Sequence, residues 1–366
     1  MQIVNQTPFA VETVPAKAVD GHQYLTVIAK ATFTMEHRRP CRVDSEQIPV
    51  AFGDVSFEPE SEAVKLEADT APFKPRADII LVGHAHAPRG NHAVTGIDVA
   101  IRVGSLHRVL RVFGDRFWQW TRLWSACTTR PVPFAKMPIV YDRAYGGIDQ
   151  AGGYCRKNPI GRGYFSKPSR KSVRGAPLPN IEHPSELIRS PRDNPRPVGF
   201  GYYGRGWEPR LGYLGTFDET WRLERSPELP SDFSENYYNA AHPDMQVDGY
   251  LKGDEPVELR NLSPEGRISF NLPAVAPTCA VDKSYDTMRL LVEENQPRYA
   301  ELASLAGRAP ERVDLNMNLD TLCLLPDEKR FFLIWRGRTP VFDATALEIQ
   351  CVRLSRRTVL SDEDAP

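Results

Sequence analysis

Apolar and polar residues alternate with period two over several stretches of the chain. Ile97, Val99, Ile101 and Val103 alternate with Asp98, Ala100 and Arg102, which marks a strand with one buried face. Gly104-Ser105 follows, then Leu106 to Phe113, then Gly114-Asp115 and Arg116 to Trp120. Both dipeptides put glycine first, as a two-residue hairpin turn of type II′ requires. The pattern predicts a three-stranded meander, preceded by the dense apolar run Ile79 to Val82. Gly104, Gly114 and Asp115 are its candidate turn residues, and Gly146 and Gly147 are two more further on.

The same period recurs at both ends. Leu25, Val27 and Ala29 alternate with Thr26, Ile28 and Lys30, and Asp20-Gly21 reads as a hairpin turn after Val11 to Val19. In the last third, Val257 to Leu262 and Arg267 to Leu272 flank the turn Ser263-Pro264-Glu265-Gly266. Val313, Leu315, Met317 and Leu319 alternate with polar residues, as in one strand. Thr321 to Leu325 and Arg330 to Trp335 flank the loop Pro326 to Lys329, and Leu347, Ile349 and Cys351 suggest a final strand. Helical period is scarce. Arg298 to Ala306, between Pro297 and Gly307, is the one helix candidate. The expected fold is mainly β, with antiparallel sheets in a sandwich- or barrel-like arrangement, the two ends sharing one core.

Composition changes the middle of that picture. Residues 127–249 hold 15 of the 32 prolines and 14 of the 25 glycines. This density approaches that of disordered sequence. The same stretch is rich in Tyr, Phe and Trp, each able to bury a large area. An ordered Pro/Gly/aromatic-rich loop layer over the sheets is the expectation, with residues 166–197 its most flexible part. One module is expected over 1–366. It divides into an N-terminal β part (1–126), the loop-rich part (127–249), a C-terminal β part (250–354) and a polar tail expected to be disordered (355–366).

Charge and cysteine narrow the class. The net charge is −1 in 366 residues, which gives no basic surplus for nucleic acid. The start MQIVNQTPF lacks the basic and apolar regions of a signal peptide, and no run approaches the length of a membrane span. Six scattered cysteines without a CxxC pair read as reduced, buried side chains. A cytoplasmic protein without membrane insertion is expected.

The chemical motifs are thin. Gly199-Phe-Gly-Tyr-Tyr-Gly204 matches the dinucleotide fingerprint in letters, but prolines on both sides leave no strand before it and no helix after it. An aromatic-glycine loop is the better reading. His84 and His86 would share one strand face, as a metal site needs, yet no carboxylate or cysteine stands at matching spacing. A hydrogen-bonded, half-buried histidine is expected instead. No nucleophile elbow, zincin helix or phosphate loop occurs.

Seven phrases in order resemble a bacterial protein family, domain of unknown function 2169. They are Pro75-Arg76-Ala77-Asp78 leading into Val82-Gly83-His84-Ala85; Val112 to Arg116 with Trp118; Met137-Pro138-Ile139 with Tyr141 to Gly147; Asn158 to Gly163; Leu178 to Glu182; Pro197 to Gly201; and Asn239 to Asp244 before Tyr250-Leu251. The resemblance covers nearly the whole chain. His86 and the insert near 166–175 depart from the pattern, which counts against a required metal ligand. The resemblance implies a type VI secretion adaptor, chaperone-like and without catalysis or cofactor. Such a protein binds a toxic effector, often one carrying a PAAR tip domain, and helps load it onto the valine-glycine-repeat spike. Aromatic and arginine side chains are the usual anchors of protein interfaces. The candidate partner-binding residues are therefore Tyr141, Arg143, Tyr145, Tyr164, Phe200, Tyr202, Tyr203 and Trp207. The rival reading is a carbohydrate-active enzyme or carbohydrate-binding β protein, which needs an aromatic cleft with two facing carboxylates.

Overall fold

Strands buried on one face alternate, and strands buried on both faces do not. Both kinds occur here, and they belong to different sheets. A computed structural model describes residues 2–57, 63–88, 92–122, 125–283, 311–340 and the backbone of 344–353. The expected helix Arg298–Ala306 and the tail 355–366 lie outside the described residues.

The strands Gly96–Val103 and Leu106–Phe113 form the expected hairpin, with Val103 opposite Leu106. Gly104 takes φ +54° in its turn, as the glycine-first turn demands. This hairpin belongs to a five-stranded antiparallel sheet in the order 181–182, 106–113, 96–103, 256–260, 267–271. Ile97, Val99, Ile101 and Val103 face the core, while Asp98 and Arg102 are exposed.

The third strand of the meander does not form. Trp118–Trp120 turns away and pairs with Ala126–Thr128. Its place beside Leu106–Phe113 is taken by Ile181–Glu182. Gly114 and Asp115 are accordingly not a hairpin turn, and Gly114 has no positive φ. Glycine is needed there for another reason: a Cβ would stand 1.7 Å from the carbonyl oxygen of Val132.

A six-stranded sheet runs in the order 246–248, 76–81, 318–325, 330–340, 23–34, 10–17. It joins strands from both ends of the chain. Only the pair 76–81 and 318–325 is parallel. Its central strands are buried almost continuously, Val27 to Phe33 and Phe331 to Arg336 among them. The two sheets face each other across one core, where Phe270 stacks on Phe331 and Phe331 on Phe33. A third sheet, in the order 2–5, 344–353, 275–283, 311–315, adds a smaller cluster at Val27, Cys279 and Val281. The fold is mainly β and sandwich-like, with no closed barrel among the described residues. The alternating run 313–319 is broken: 311–315 joins the third sheet and 318–325 the six-stranded one.

Residues 166–197, the stretch expected to be flexible, are packed. Ser169 caps the short helix Arg170–Val173 by a reciprocal bond with Ser172. Val173, Leu178 and Ile188 are buried beside Trp118 and Tyr145. Glu182 pairs with the buried Arg116, whose guanidinium lies 3.8 Å from the centre of the Phe113 ring.

Candidate functional site

The loop layer is built on rings laid against glycines. A Cβ on Gly199 would meet the Tyr141 ring at 2.9 Å, and one on Gly204 the Trp207 indole at 2.5 Å. The letters of the dinucleotide motif thus mark close ring-to-backbone approach. Tyr141, Tyr203 and Trp207 meet edge to face with centroids 5.1–5.4 Å apart, and His242 packs on Tyr203 at 5.0 Å. Burial pushes the Tyr141 phenol well above its ordinary value, and the Tyr203 phenol is also raised. Neither ionises at neutral pH.

These rings are interior. Tyr141, Tyr145, Phe200, Tyr202, Tyr203 and Trp207 are all buried, and Arg143 and Tyr164 half-buried. As folded, the six buried rings are scaffold and cannot be the exposed anchors expected of them. The reason is area: a ring in a loop with few aliphatic neighbours is what that loop has to bury. Arg143 reaches Asn180 Oδ1 (3.3 Å) and Asp115 Oδ1 (3.5 Å), which ties the loop layer to the end of strand 106–113.

Among the apolar features that the layer presents to solvent is a small hairpin over 147–155. Ile148 and Tyr154 bridge across it and are 70% and 52% exposed. Its root is fixed by Gly147 N–H to Asn158 O and Cys155 N–H to Gly147 O. Gly146 and Gly147 both carry positive φ there, as glycines at a turn permit. Asp149 organises the tip. Its carboxylate accepts the N–H groups of Ala151, Gly153 and Ser166 and the Ser166 hydroxyl. The bonds from Ser166, with those from Gly153 and Ala151, hold the Asp149 carboxyl below its ordinary range. Sequence reasoning missed this hairpin because its apolar residues stand singly. The Asp-x-x-x-Gly spacing of a turn was the available signal.

Several cavities border the layer, and two of them adjoin the ring cluster. One, of about 210 Å³, is lined by Phe57, Ile139, Tyr141, Tyr202, Arg205 and Trp207 among others. No carboxylate lines it among the described residues. The other, of about 510 Å³, lies between strand 106–113 and the segments 183–185, 196–200 and 242–245; His107, Arg108, His183, Arg196, His242 and Asp244 line it.

His84 and His86 both donate to one carboxylate, Asp327, at 2.5 and 2.8 Å. Lys136 stands 3.4 Å from the same group. The carboxylate missing from the local sequence is supplied by the turn of the 318–340 hairpin. Burial opposes the charge of Asp327, but the two imidazole bonds and Lys136 hold its pKa well below the ordinary range. His84 is hydrogen-bonded and half-buried, as the sequence suggested, His86 is buried, and no group of three or more metal-ligating side chains occurs among the described residues.

A family model described as "Uncharacterized protein conserved in bacteria (DUF2169)" matches residues 20–336. No curated protein and no solved structure matches the chain.

Proposed function

This chain belongs to the bacterial family DUF2169, and from that membership we propose that it is a protein-binding adaptor without catalysis. Its partner is a toxic effector, often PAAR-carrying, and it helps load that effector onto the valine-glycine-repeat spike of a type VI secretion system before firing, in the cytoplasm.

The observation that carries the reading is the hairpin 147–155. Exposed apolar side chains that stand on a rigid frame bind with little loss of conformational freedom. Ile148 and Tyr154 are held this way, by Asp149 beneath them and the Asn158 and Gly147 bonds at the root. The buried rings behind the hairpin keep the frame stiff. The experiment is co-purification of the full chain with the effector, PAAR and spike proteins encoded beside it. We expect a complex that Ile148→Asp with Tyr154→Asp weakens by about tenfold or more, as loss of central interface anchors does, with Tm unchanged. Absence of a complex with every neighbour-encoded effector and spike protein would sink the reading.

A further inference from the structure

The sequence carries Asn-x-x-His-Pro twice, at Asn180–Pro184 and Asn239–Pro243, and the structure folds both alike. Each Asn side-chain amide donates to a backbone carbonyl and to the carboxylate two residues beyond it. Asn180 Nδ2 reaches Phe113 O (3.1 Å) and Asp115 Oδ1 (2.9 Å). Asn239 Nδ2 reaches Arg76 O (2.9 Å) and Asp78 Oδ1 (3.0 Å). Each His then accepts, at Nδ1, the backbone N–H of the residue after its proline: Ser185 for His183 and Asp244 for His242, both at 3.2 Å. A ring nitrogen that accepts an N–H carries no proton, so both neutral imidazoles are the Nε2–H tautomer, an assignment made from the hydrogen-bond network.

The two segments are clipped together by Arg196. It reaches Glu186 at 3.0 Å and Asp244 at 3.2 Å. The cavity of about 510 Å³ is lined by both rings, by Arg108 and by the paired Arg196 and Asp244, with Phe200 and Met245 as apolar walls. Arg108 makes no ion pair among the described residues; its one bond is to the neighbouring His107 carbonyl. Burial lowers the pKa of His242. Asp244 opposes that, while the charges of Arg196, Lys157 and Arg108 add to it. The ring thus stands among three cationic side chains and one carboxylate, Asp244, which Arg196 pairs.

We propose that the duplicated segments form one binding device, and that the cavity between them takes a single oxyanion, phosphate or carboxylate, through the Nε2–H groups of His183 and His242 and the guanidinium of Arg108. Charge-assisted donors converging on one apolar-walled cavity suit such a group. With Nδ1 engaged in each segment, Nε2–H is the donor each ring has left. Arg196 positions the two segments. This site does not depend on the adaptor reading, and its test uses no partner protein.

The test is imidazole nitrogen NMR on the full chain, titrated with inorganic phosphate and separately with acetate, at ionic strength fixed by chloride. We expect saturable shifts of the His183 and His242 Nε2 signals, with Nδ1 staying unprotonated and His37 unmoved. Tighter binding of phosphate assigns a phosphate ligand, and tighter binding of acetate a carboxylate. Arg108→Gln should weaken either by about tenfold, as loss of a charge-assisted pair does, without changing Tm. No saturable shift with either anion, or a shift that Arg108→Gln leaves intact, overturns the proposal.

Discussion

Asp327 gathers His84, His86 and Lys136 from a different hairpin. Its folded pKa is depressed, so its contribution to stability is complete above the ordinary carboxylate range, near pH 4, and is lost as pH falls toward the folded value. Asp327→Asn should therefore lower Tm by about 2–4 °C at pH 7. The gap from the parent protein should shrink steadily below pH 4, as thermal melts across that range would read. Gly114 is decided by a single contact. Gly114→Val should cost about 1–3 kcal/mol, because the backbone at Val132 must move to admit the side chain. Denaturant titration measures it. Unchanged stability would show that the 114 and 132 segments do not meet.

At the scale of elements, polar side chains set the loops and apolar ones set the sheets. Residues 166–197 look unstructured because their apolar residues are few and follow no period. Their order comes from caps instead. Ser169 closes a helix turn, Asp193 accepts from Arg189 and Ser190, and Glu182 accepts from Ile188. The hairpin 147–155 works the same way. Asp149→Ala should speed amide exchange at Ala151, Gly153 and Ser166, measured by hydrogen exchange, and should weaken the proposed partner binding while leaving the sheets protected. Equal protection in the variant would show that Asp149 is not the organiser. The strand Arg76–Leu81 carries a costlier case. Asp78 is fully buried and accepts from Lys74, Asn239 and the N–H groups of Ala240 and Ala241. Removing it strands the buried Lys74 charge, so Asp78→Ala should lose about 3–5 kcal/mol. Denaturant unfolding, or loss of soluble protein, would show it.

For the whole molecule, the six-stranded sheet is the joint. Strand 76–81 lies between 246–248 and 318–325, and 23–34 pairs with 330–340, so each of the parts 1–126, 127–249 and 250–354 contributes to it. A fragment ending at residue 126 lacks at least seven of the pairing partners of its own strands. It should not fold alone by circular dichroism or limited proteolysis. A protease-resistant 1–126 fragment would contradict this.

The sequence by itself determined the local pairings: the hairpins at 96–113 and 256–271 follow from period-two burial, those at 10–34 and 318–340 from apolar strand runs, each with a turn between near neighbours. It also determined the β class and, through seven ordered phrases, the family. Tertiary structure decided what lies far apart in sequence. It set the partner of Trp118–Trp120, the split of 313–319 between two sheets, the carboxylate that serves His84 and His86, and the burial of the aromatic residues named as candidate partner contacts. It also brought the two Asn-x-x-His-Pro segments to one cavity. The physical reason is range. Alternation and turns act between neighbours, whereas ring burial, buried ion pairs and edge pairing depend on which segment arrives, and no local pattern encodes that arrival.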